Sequence, residues 1–105
     1  MIIVETPVFT RAILELLADD EYRRLQVALV LRPNQGALIK GASGLRKVRW
    51  KQSDRGKRGG LRVLYFWDPL GDRMYMIYAY EKTKQSDLSP AQVKQLGKIV
   101  REELK

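Results

Sequence analysis

Apolar and polar positions along this chain follow two different periods. Residues 1–5, MIIVE, are short, β-branched and apolar, the composition of a strand. Phe9, Ile13, Leu16 and Leu17 then recur at helical spacing. They follow Thr6 as a cap and Pro7 at the first helical position, where its missing N–H would be unpaired anyway. A second helical face carries Tyr22, Leu25, Ala28 and Leu29, with Asp19 or Asp20 expected to cap it and Pro33 to stop it. The two runs predict a helical hairpin.

After a loop, NQGALIKGASG, with room for a short edge strand, the period becomes two. In LRKVRWK, Val48 and Trp50 face one side while Lys47, Arg49 and Lys51 face the other. LRVLYFWD is apolar almost throughout apart from Arg62, which predicts a central strand covered on both faces. A DPLGD turn leads into RMYMIYAYEK, another mostly buried strand. The chain closes on a helix with Ser89 as cap, Pro90 next and Gln92 completing a capping box, followed by an apolar stripe of Val93, Leu96, Ile99 and Val100. Gly97 should weaken that helix by roughly 1 kcal/mol relative to Ala. The order β-α-α-β-β-β-α predicts an α+β fold: a mostly antiparallel sheet with an N-terminal helical hairpin and a C-terminal helix, the helices on one face.

Composition narrows the chemistry. The 105 residues suit a single domain over 1–105. There is no cysteine and no histidine, which removes thiolate nucleophiles, cysteine-bound zinc and every His-based triad or metal site. No cofactor and no metal is called for. Proton transfer must use Glu, Asp, Lys, Tyr or water. No apolar run approaches the roughly 20 residues of a membrane span, and the N-terminus lacks the pattern of a signal peptide, so the expectation is a cytoplasmic protein with no membrane partner.

Charge adds the main functional clue. The formal net charge is +8, a balance that favours polyanions. Arg46, Lys47, Arg49, Lys51, Arg55, Lys57, Arg58 and Arg62 crowd one stretch, opposed only by Asp54. Solvated charge on an open sheet face would explain such a run, but three features weigh against it. The charges are nearly all of one sign. Arg, whose planar fork suits phosphate, predominates over Lys. Arg62 interrupts an apolar strand and needs a partner, either a carboxylate or a bound anion. Lys82 and Lys84 follow the last strand and would approach the same patch if that strand pairs with the one carrying Arg62. Tyr80 is the aromatic residue best placed to be exposed and to stack on a base.

The chain resembles the RelE superfamily of bacterial toxins, most closely its HigB-like branch. The resemblance rests on the element order, on GLRKVRW followed by KRGGLRVLYFW, on YAYEKTKQSDLS after the last strand, and on the closing helix AQVKQLGKIV. It implies a ribosome-dependent mRNA endonuclease, an mRNA interferase that cuts translated mRNA in the decoding site. It also implies a cognate antitoxin, commonly with a helix-turn-helix DNA-binding domain. The family's basic pair falls on Lys47 and Arg49, its arginine on Arg62, and its later basic residues on Lys82 and Lys84. A tyrosine that some relatives carry falls near Leu88, so this chain lacks it.

The catalytic expectation is therefore Lys47, Arg49, Arg62, Lys82 and Lys84. Arg46, Lys51, Arg55, Lys57, Arg58 and Tyr80 are expected to hold RNA. The general base is left among Lys47, Glu81 and Lys82. The alternative is a non-catalytic RNA- or ribosome-binding module using the same patch. DNA binding is weaker, because no helix is basic along one face.

Overall fold

The computed structural model describes residues 1–51, 60–82 and 87–104. The elements are β1 (Ile2–Glu5), α1 (Pro7–Leu16), α2 (Asp19–Leu31), β2 (Ala37–Leu38), β3 (Arg46–Trp50), β4 (Leu61–Asp68), β5 (Arg73–Glu81) and α3 (Pro90–Ile99), with a π-helical turn at Val100–Leu104. Helix starts follow local chemistry. The Thr6 side chain accepts from the Phe9 amide with Pro7 at the first position. Ser89 and Gln92 form the full capping box ahead of α3. One start differs from expectation: Ala18, not Asp19 or Asp20, caps α2, with no side-chain bond. Both aspartates and Glu21 lie inside the first turn, where their charge favours the positive end of the helix dipole.

The sheet order is β1-β5-β4-β3-β2, so β4 is central as its apolar run predicts. The β2–β3, β3–β4 and β4–β5 pairs are antiparallel, and β1 runs parallel to β5. The helices do not share one face. Phe9, Ile13 and Leu17 join Leu25 and Leu29 over Val48, Val63 and Tyr65. Val93, Leu96 and Val100 cover Leu64, Phe66 and Ile77 on the opposite side. The physical reason is β4 itself, whose alternate residues are all buried from Leu61 to Phe66 and so need a layer on each side.

Two local devices aim the later residues. In β5, Tyr65 pairs with Met76 and Leu64 with Tyr78, leaving Ile77 as a β-bulge. Ile77 and Tyr78 therefore both turn toward α3, and Tyr80 with them. Gly97 is buried, and a Cβ there would lie 3.0 Å from the Ala42 Cα and the Gly41 carbonyl. Its cost in helix propensity is set against close docking of α3 on that loop. No helix among the described residues is long and apolar enough to cross a membrane.

Candidate nucleic-acid interface

The register brings the sequence-predicted cations of the strands together. Arg49 on β3 lies directly across from Arg62 on β4, and Arg62 lies across from Tyr80 on β5. Lys47 is two residues along β3 from Arg49, on the same face by the strand's pleat. Like charges directly opposed in a sheet repel and destabilise it, so the Arg–Arg cross-strand pair concentrates positive charge at some cost. Arg49 is exposed, whereas Arg62 is only 4% exposed. The row thus runs from solvent into the sheet.

Lys47 closes one side. Its Nζ lies 3.4 Å from Asp87 Oδ1, and the same carboxylate oxygen accepts from the Leu88 amide at 2.8 Å. The Leu88 amide first, and Lys47 second, hold the Asp87 carboxyl below its ordinary value. Lys82 also contributes to that lowering, so its charge reaches the same spot. The Lys82 amide donates to the Gly60 carbonyl at 3.2 Å, which ends the β4–β5 ladder beside the row. A shallow groove lined by Ala37, Ile39, Lys47, Asp87, Leu88 and Val93 leads from the β2 edge to this point.

Several expectations change. Tyr80 is not exposed: it is 5% exposed and stacks on Tyr78 with ring centroids 5.8 Å apart. The Ile77 bulge turns it inward beneath the α3 layer, so it offers no open face to a base. Burial first, and the charge of Asp87 second, push its phenol above the ordinary value, which keeps it protonated. Glu81 is buried, and the pleat turns it to the α1/α2 side, away from Tyr80 and Lys47. That placement removes it as a base for this row. Arg46 is set apart too. Its guanidinium donates to the carbonyls of Asn34 (3.1 Å) and Gly36 (2.8 Å), tying the loop between α2 and β2 to β3.

Lys51 is exposed just past β3. Arg55, Lys57, Arg58 and Lys84 lie outside the described residues. Gly60 uses its positive φ of 61° for packing: a Cβ there would meet the Trp50 carbonyl at 2.6 Å. Asp87 is the residue that sequence reasoning passed over, although it sits in the SDL motif. Its signal was the capping segment, since a residue just before Ser89 is held by the start of α3. Among the described residues no cluster of acidic side chains could hold a metal ion.

No family model matches the chain. Among solved structures it is similar to the crystal structure of the intact E. coli RelBE toxin–antitoxin complex. The TM-score is 0.58 and the identity 12%, covering 76% of this chain and 94% of that one. The fold is RelE-like. At that identity the likeness is one of fold, and the basic row of Arg49, Arg62, Lys47 and Lys82 is this chain's own observation.

Proposed function

We propose that the protein is a toxin of the RelE type, of the HigB-like branch, which cleaves mRNA on the ribosome and is held inactive by a cognate antitoxin. The observation that carries this reading is the Arg49–Arg62 pair, directly opposed across β3 and β4 with Lys47 on the same face. The similarity in fold to the RelBE complex supports the partner, and the SDL segment and basic motifs support the branch. An antitoxin with a helix-turn-helix domain belongs to the same reading.

In the proposed reaction the ribose 2′-oxygen attacks the adjacent phosphorus in line and the bond to the 5′-oxygen breaks. Arg49 and Arg62 stabilise the charge that builds on the phosphoryl oxygens, usually the largest single contribution. Lys47, already paired with Asp87, suits holding charge rather than taking up a proton. Lys82, exposed beside the row, is the base this arrangement offers. Such weak acid–base groups leave much of the rate to positioning of the substrate, which a ribosome supplies.

The test is primer extension on one mRNA with purified protein, with and without translating ribosomes, beside Arg62→Ala. Ribosome-dependent cuts within codons are expected, with the variant slower by roughly 10²–10³-fold. Folded protein that binds ribosomes and cuts nothing would overturn the enzyme and leave an RNA-binding module.

A further inference from the structure

Tyr65 and Tyr80 are both buried and lie on opposite faces of the sheet. The Tyr65 hydroxyl is fully used: it donates to the Pro33 carbonyl at 2.8 Å and accepts from the Gly36 amide at 2.9 Å. The Tyr80 hydroxyl is buried and has no hydrogen-bond partner. Buried polar groups are nearly always paired, so an orphan of this kind asks for a missing acceptor. Phenylalanine would fill the same space on Tyr78 without that cost.

The surroundings say what the acceptor would be. Tyr80 lies directly across from Arg62 on the neighbouring strand, and Arg62 directly across from Arg49, which puts the phenol at the inner end of the basic row. The Asp87 carboxylate does not serve, being turned to the Leu88 amide and to Lys47. A protonated phenol in register with two opposed arginines suits an oxygen anion as its acceptor. We propose that Tyr80 is a phosphate-binding residue, its hydroxyl donating to a non-bridging oxygen of the RNA phosphate that Arg62 neutralises. The assignment rests on the reading above and replaces base stacking, which the burial of Tyr80 removes, with a hydrogen bond to phosphate. The basic groups supply charge, and Tyr80 supplies direction.

Inorganic phosphate is the probe, titrated at constant ionic strength and followed through the amide signals of Arg62 and Ala79. Wild type, Tyr80→Phe and the control Tyr75→Phe are compared, with melting temperatures and ribosome-dependent cleavage measured on each. Loss of a hydrogen bond to a charged group should weaken phosphate binding in Tyr80→Phe by roughly tenfold or more. Tyr75→Phe should bind like wild type, and the melting temperature of Tyr80→Phe should not fall. Unchanged phosphate affinity in Tyr80→Phe, no saturable binding in wild type, or a lowered melting temperature of that variant would each overturn the assignment. If wild type cuts mRNA while Tyr80→Phe binds phosphate unchanged, the inference falls and the nuclease stands. If binding depends on Tyr80 and no mRNA is cut, the site stands and the nuclease falls.

Discussion

The two faces of the sheet solve the same packing problem to different degrees. Under α1 and α2 the described core holds twelve buried residues; under α3 it holds seven. The polar groups differ in the same sense. On the first face the Tyr22 hydroxyl donates to Glu5 at 2.6 Å and Tyr65 makes two bonds. On the second, Tyr80 is unpaired and Arg49 opposes Arg62. One face is finished for stability. The other holds repulsion and an unmet donor, the sort of local inconsistency that natural sequences keep at functional sites.

That contrast is open to direct attack. The largest effect belongs to Phe9, fully buried against Tyr22 at 5.9 Å between centroids. Phe9→Ala should cost about 3–5 kcal/mol in denaturant unfolding. Tyr65→Phe leaves the buried Gly36 amide without its acceptor and should cost about 1–3 kcal/mol. The matched change, Tyr80→Phe, should cost nothing measurable in the same experiment; equal losses in the two variants would erase the distinction between the faces. Ser89→Ala removes the cap of α3 and should cost about 1 kcal/mol.

The smallest effect is the pH dependence of the Lys47–Asp87 contact. The folded Asp87 carboxyl titrates below its ordinary value of 3.8, so its contribution is present above that pH and is lost as pH falls through the lower folded value. The carboxyl-carbon shift of Asp87 followed against pH should show this, and Lys47→Ala should move the midpoint upward. An unmoved midpoint would leave the Leu88 amide and the charge of Lys82 as the causes.

Local chemistry was legible in the sequence and long-range aim was not. The caps at Thr6 and Ser89, the stop before Pro33 and the central place of β4 each depend on a few neighbouring residues. The alternation of Lys47 and Arg49 against Val48 and Trp50 carried over to the sheet, because polar and apolar residues take turns there. Along β5 they do not take turns. An apolar run carries no frame, so the bulge at Ile77 left no mark in the pattern. The burial of Tyr80 and the turning away of Glu81 both follow from that bulge. Placing the helices on both faces was recoverable, since a strand buried on both sides cannot be covered from one.

The bulge also makes the site tolerant of one kind of inherited change. The first part of β5 is pinned beside β1, from Ile2 opposite Arg73 to Glu5 opposite Met76. Loss of the Ile77 codon alone would keep the downstream reading frame and remove only the residue that has no partner on β4. Met76 and Tyr78 would then alternate without a break, and Tyr80 and Glu81 would keep the faces they hold now. An allele of that kind would lose one buried side chain under α3 and leave every arginine, lysine and tyrosine of the site in place.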